Sequence, residues 1–169
     1  MRRTVTQIVF AAMVSVVAAP AMAQDGRRAE VGLGYSLVGI IEEDAPSLPA
    51  GWLGSVAVGI TDRVSAVGEV AGNYTSEDGD LLTLHTYQGG VRFGGRRSPR
   101  VRPYGQLLLG GVTVSAEGEY FNRFVMEPGV GVDLPIGRRK AVRLGAGFPI
   151  IFSGGETINL FRIHAGLVF

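Results

Sequence analysis

From Phe161 to Phe169 apolar and polar or small residues alternate: Phe161, Ile163, Ala165, Leu167 and Phe169 take the odd positions, with Arg162, His164 and Gly166 among those between. Successive side chains of a strand point to opposite faces, so this spacing predicts a strand with one apolar and one wet face. Seven further segments of about ten to twelve residues repeat the pattern between turn residues. The first, Ala29–Ile40, sets Val31, Leu33, Tyr35 and Leu37 against Glu30, Gly32, Gly34 and Ser36. The second, Ala50–Ile60, sets Trp52, Val56, Val58 and Ile60 against Ser55, Ala57 and Gly59. Only Thr61, Asp62 and Arg63 separate it from the third, Val64–Tyr74, which predicts a hairpin. The others are Leu82–Gly94, Val101–Val114, Arg123–Leu134, Ala141–Phe152 and Ile158–Phe169.

Parity decides what these faces meet. Glu30, Glu69, Arg92, Arg102, Glu127, Asp133, Arg143 and Arg162 all fall opposite the apolar parity of their strands. A soluble sandwich would carry such charges on its outside. In a membrane barrel they belong inside, because Arg or Lys on the lipid face at mid-bilayer costs ~2–4 kcal/mol. Aromatic positions agree with two interfacial girdles: Tyr35, Trp52, Tyr74, Tyr87 and Phe124 lie towards one end of their strands, Phe93 and Phe169 towards the other.

The chain opens with Arg2 and Arg3, an apolar stretch from Ile8 to Ala19, and Ala21-Met22-Ala23, the small-x-small pattern of a signal-peptidase site. Residues 1–23 are therefore expected to be a signal peptide, cleaved between Ala23 and Gln24, and residues 24–169 one barrel domain. No cysteine is present, so neither a disulfide nor a lipid-bearing cysteine is available to the exported chain. The mature chain contains no unbroken apolar run long enough for a transmembrane helix. The expected fold is all-β: an eight-stranded antiparallel up-and-down transmembrane β-barrel. With both termini taken as periplasmic, the short connections are Thr61–Arg63, Gly95–Arg100 and Pro135–Lys140. Ile41–Pro49, Thr75–Leu81, Ser115–Asn122 and Ser153–Thr157 are then the outer loops.

Arg102-Pro103-Tyr104 with Gly110-Gly111, then Pro128-Gly129-Val130-Gly131-Val132-Asp133, Val142-Arg143-Leu144 and the terminal Phe169 follow in order along the mature chain. This series resembles the small bacterial outer-membrane β-barrel domain family that includes the barrel of OmpA-like proteins and the OmpX and Ail type. The resemblance implies a place in the outer membrane of a Gram-negative bacterium. It also implies that Phe169, with Leu167, Ala165 and Ile163 at every second position before it, is the signal read by the barrel-assembly machinery after periplasmic chaperones deliver the chain. Outer-membrane lipid and lipopolysaccharide are the expected surroundings, with no nucleic acid and a monomeric state. The chain ends at the barrel, so the cell-wall tether of OmpA-like proteins is not carried over.

Glu69, Gln106, Glu127, Arg162 and His164 should sit near mid-barrel, with Arg92, Arg102, Asp133 and Arg143 nearer the periplasmic mouth. Eight strands leave an interior just wide enough for side chains to fill, so Glu69, Gln106, Glu127, Arg143, Arg162 and His164 are expected to form a charge network plugging the lumen. The rival is a narrow, porin-like gated channel. A third reading is a lipid A-modifying enzyme, but His85 lies on the lipid parity with Thr83 and Thr86 nearby and no His-x-Ser arrangement. The two histidines, His85 and His164, supply no ligand cluster, so no catalytic residue, metal or cofactor is expected.

Charge also divides the ends. The outer loops hold Glu42, Glu43, Asp44, Glu77, Asp78, Asp80, Glu117, Glu119 and Glu156 without a lysine or arginine. The other end holds Arg27, Arg28, Arg63, Arg96, Arg97, Arg100, Arg138, Arg139 and Lys140 against Asp25 and Asp62. Such an acidic crown keeps exposed turns soluble, gathers divalent cations shared with lipopolysaccharide phosphates diffusely, or repels anionic ligands. The expected role is structural, supporting membrane integrity or surface interaction.

Overall fold

Alternation becomes geometry in a computed structural model, which describes residues 29–41, 47–77, 80–94, 100–116, 119–137 and 139–169. The expected signal peptide with Ala21 and Ala23, and most of the acidic loop residues, lie outside these. The strands are β1 (Ala29–Ile40), β2 (Ala50–Gly59), β3 (Val64–Glu77), β4 (Asp80–Gly94), β5 (Arg102–Ala116), β6 (Glu119–Pro135), β7 (Ala141–Gly147), β8 (Ile150–Ser153) and β9 (Glu156–Val168). Each pairs antiparallel with its neighbour, and β1 pairs with β9 from Gly32 opposite Val168 to Ile40 opposite Leu160. Val31 and Phe169 exchange both backbone hydrogen bonds, at 2.9 and 3.2 Å, so the seam is closed to the last residue. Closure leaves the sheet without an edge.

β7 and β8 are two parts of one barrel strand, which makes the barrel eight-stranded. Gly129 pairs with Gly147 and Met126 with Ile150, so the register is unchanged across the interruption. Pro128 and Pro149 sit in the gap, and neither has an N–H to give the ladder. Phe148 still donates to the Pro128 carbonyl at 2.9 Å, and Leu160 to that of Pro149 at 2.9 Å.

Loop lengths depart from expectation. Backbone pairing runs on to Glu77 opposite Asp80, Ala116 opposite Glu119 and Ser153 opposite Glu156. Three of the four expected outer loops therefore shrink to two-residue connections, and only Ile41–Pro49 stays long. Ladder bonds use backbone groups alone, so they continue through polar sequence after the apolar alternation has stopped. One connection is Gly154-Gly155, with φ of 60° and 103°, the left-handed geometry of a tight hairpin.

Inside, the barrel is layered. Towards the end opposite the termini, here the loop end, Val38, Leu84, Val112, Val125, Ile151 and Leu160 form a buried apolar cluster. Leu48 joins it from the first loop, held by paired backbone hydrogen bonds to Val38 at 2.7 and 3.1 Å. A smaller apolar group, Ala57, Val67 and Leu108, packs lower on one wall. Polar and charged side chains fill the rest.

The filled lumen as candidate functional site

Arg162 projects inward from β9 and is 0% exposed. Its Nη1 donates to Glu127 Oε2 of β6 at 2.8 Å and to Glu69 Oε1 of β3 at 3.5 Å, and its Nη2 to Thr86 Oγ1 of β4 at 3.1 Å. None of these strands adjoins β9 in the sheet, so one guanidinium bridges the lumen. Burying two carboxylates with a single cation demands such convergent hydrogen bonds, because an unpaired buried charge costs several kcal/mol. Room comes partly from Gly147: a side-chain carbon there would collide with the Glu127 carboxylate.

Arg143 makes the second cluster, nearer the termini. Its Nε and Nη2 donate to Asp133 Oδ1 and Oδ2 at 2.7 and 2.8 Å, a two-pronged pair between adjacent positions of β6 and β7. Nη2 also reaches Glu30 Oε2 at 3.4 Å, whose side chain is 39% exposed. Gln106 belongs to a third group: its Oε1 accepts from Arg92 Nε at 3.1 Å and Nη2 at 2.8 Å across β4 and β5. Arg92 and Arg143 both lie over the Tyr104 ring, 4.6 and 5.1 Å from its centre. Tyr104 Oη in turn lies 3.3 Å from His164 Nε2.

The six lumen residues named from sequence therefore divide among three groups, all inside the barrel. Arg162 meets Glu69 and Glu127, Arg143 binds Asp133, and Gln106 and His164 belong to the third group through Arg92 and Tyr104. Arg102 is on the inward parity but exposed at the mouth. Sequence reasoning missed Tyr104 as the hub between groups, although it shares the parity of Gln106 on β5. It also missed Thr86, and the buried pair in which Ser36 Oγ donates to Asn73 Oδ1 at 3.2 Å while Asn73 Nδ2 donates to the Ser36 carbonyl at 2.9 Å. Beside His164, a cavity of about 10 Å³ is lined in part by Ser55 and Arg143, the space of a single water.

The outward face carries Ile163, Ala165, Leu167 and Phe169 of the last strand, all exposed. Lys140 Nζ lies 5.5 Å from the centre of the Phe169 ring. A closed, edge-free barrel with charges inside and apolar residues outside is a membrane architecture. A family model described as an outer membrane protein beta-barrel domain matches residues 9–169. The chain belongs to this family.

Solved structures share the fold. Neisserial surface protein A superposes with a TM-score of 0.63 at 11% identity, over 85% of this chain and 96% of that one. OprG from Pseudomonas aeruginosa gives 0.57 at 10% identity, over 83% and 95%. The attachment invasion locus protein Ail of Yersinia pestis gives 0.52 at 15% identity, over 85% and 97%. At these identities the likeness shows the fold. A search by sequence among curated proteins finds no match. The protein is thus an outer-membrane β-barrel, and its lumen is filled by side chains over the described residues.

His85, the other histidine, lies outside the lumen on β4, with its Nε2 3.1 Å from Tyr74 Oη. Thr83 shares its outward parity on β4, whereas Thr86 faces the lumen and accepts from Arg162. Among the described residues, the hydrogen-bond partner of His85 is the Tyr74 hydroxyl, and no carboxylate orients the pair.

Proposed function

We propose that the protein acts as a sealed, non-enzymatic barrel with a structural, membrane-integrity or surface-interaction role. The observation that carries this reading is the buried layer of Val38, Leu48, Leu84, Val112, Val125, Ile151 and Leu160 above the Arg162 cluster. A channel needs a continuous wetted path. Here apolar side chains close one half of the lumen and a bridging ion cluster closes the middle. The surface-interaction part leans on fold likeness to a Yersinia protein named for attachment and invasion. Proteoliposome swelling tests the seal: no sugar-driven swelling is expected, and swelling comparable to a porin would reject the reading. Lipid A mass spectrometry of cells with and without the protein tests for acyl chemistry, with identical profiles expected.

Biogenesis completes the proposal. Residues 1–23 are removed on export, and the mature chain then passes through periplasmic chaperones to the barrel-assembly machinery, which reads Phe169, Leu167, Ala165 and Ile163. The product is a monomer among outer-membrane lipid and lipopolysaccharide. Amino-terminal sequencing of the membrane-embedded protein should begin at Gln24. Phe169→Ser should lower the amount of heat-modifiable barrel in the outer membrane; unchanged levels would remove the assembly role.

A further inference from the structure

Hydrogen bonding between side chains on the outward face gathers at the loop ends of β2–β6. Trp52 Nε1 donates to Tyr74 Oη at 3.0 Å, and Tyr74 Oη lies 3.1 Å from His85 Nε2. On the following strands Thr113 Oγ1 donates to Asn122 Oδ1 at 2.6 Å, and Tyr87 Oη donates to the same oxygen at 3.4 Å. The strand register makes the two groups neighbours: Trp52 pairs with Gly72, Gly72 with His85, His85 with Thr113 and Thr113 with Asn122. Glycines let the rings lie down. A side-chain carbon at Gly72 would come within 2.7 Å of Trp52 Nε1 and 2.8 Å of Tyr74 Oη, and one at Gly111 would run into the Tyr87 ring.

Donors are left over in both groups. Trp52, Tyr74 and His85 bring at least one N–H or O–H each to two internal contacts, so at least one donor remains whichever ring nitrogen of His85 holds a proton. Asn122 receives both hydroxyls on its oxygen, which leaves its amide N–H groups. Among the described side chains, no carboxylate belongs to either group. Such a surface is complementary to acceptor oxygens. Outward positions nearer the termini are apolar, as at Val58, Leu107 and Leu109, whereas Ser76 and Thr83 lie nearer the loops. The donors thus stand where the apolar band ends, the level of lipid headgroups around a membrane barrel.

We propose that this Trp52–Asn122 row is a binding site for the headgroup of a membrane lipid, held through its phosphate and ester oxygens. The inference goes beyond the sealed-barrel reading and does not depend on it. The test uses full-length mature protein refolded in detergent and titrated separately with phosphatidylglycerol, lipid A and diacylglycerol, with retained lipid counted by native mass spectrometry. At least one phosphate-bearing lipid should be retained roughly tenfold better than diacylglycerol, as expected for two hydrogen bonds of ordinary net strength. The double variant His85→Leu with Asn122→Leu should lose that preference while remaining heat-modifiable. Equal retention of all three lipids by the wild type, or an unchanged preference in the folded variant, would overturn the site. If the variant does not fold, the ring-nitrogen resonances of His85 in the wild type decide: they should shift on adding phosphatidylglycerol or lipid A but not diacylglycerol, and unmoved resonances overturn the proposal.

Discussion

Two arginines inside the same barrel hold their acids in different ways. Arg143 pairs with Asp133, its cross-strand neighbour, and shares Glu30 with the mouth, where that side chain is 39% exposed. Arg162 is wholly buried and reaches across the lumen to Glu127, Glu69 and Thr86. The first arrangement is local, solvent-linked and replaceable. The second ties β9 to β3, β4 and β6 at once, with the apolar layer of Val38, Val112 and Val125 on its loop side. The exposure of one acid, rather than charge, separates their roles: Arg143 is itself 4% exposed but its partner Glu30 meets water at the mouth, while both acids of the Arg162 cluster are buried and each ion depends on its partners.

The largest effect should therefore come from Arg162→Ala, which leaves Glu69 and Glu127 buried without their cation and should cost about 3–5 kcal/mol in a lipid-refolding titration. A loss below that of Arg143→Ala would erase the distinction between the clusters. The lipid face supplies an independent scale. Val130 points outward and is 61% exposed, so Val130→Arg should cost ~2–4 kcal/mol, whereas Leu134→Arg, nearer the membrane boundary, should cost ~0–1 kcal/mol. Equal penalties would mean that β6 sits at another depth.

Arg143→Ala comes next, at about 1.5–3 kcal/mol for loss of its charge-assisted bonds to Asp133. Smallest is Glu30→Gln, expected to cost about 0.5 kcal/mol or less, with an effect that shrinks as salt is raised from 0.05 to about 0.5 M. Arg162→Ala should show no such salt dependence. A Glu30 effect as large and as salt-insensitive as that of Arg162 would show the mouth to be dry.

Much of this was readable from alternation. Parity put Glu69, Glu127, Arg143 and Arg162 inside, because a one-residue shift would have turned every charge on a strand towards lipid. It also left Val31, Leu33 and Tyr35 outside, where the structure has them. Asp133 and Arg143 could be placed on the same rim, since they flank one short connection. Partnership across the lumen was beyond reach, because strand tilt and shear fix which level of β9 faces which level of β3 and β6, and neither follows from the pattern of one strand. The apolar layer was overlooked for another reason. Val38, Leu84, Val112 and Leu160 occupy inward parity, but parity alone does not say at which level of the lumen they meet, and Leu48 enters from a loop that alternation does not describe. Pro149 is a visible signal of the lapse between β7 and β8; the register survives because Phe148 and Leu160 still donate to the Pro128 and Pro149 carbonyls. Strand tips such as Ser153 and Glu156 carry no apolar rhythm, so their pairing was unreadable.

The central claim, that side chains close this lumen, is met most directly by single-channel recording of the refolded wild-type protein in a planar bilayer, with Arg162→Ala alongside. The account predicts no steady current from the wild type and a destabilised Arg162→Ala barrel. A stable, reproducible conductance from the wild type, together with an Arg162→Ala protein as stable as its parent, would contradict it and make the lumen a channel.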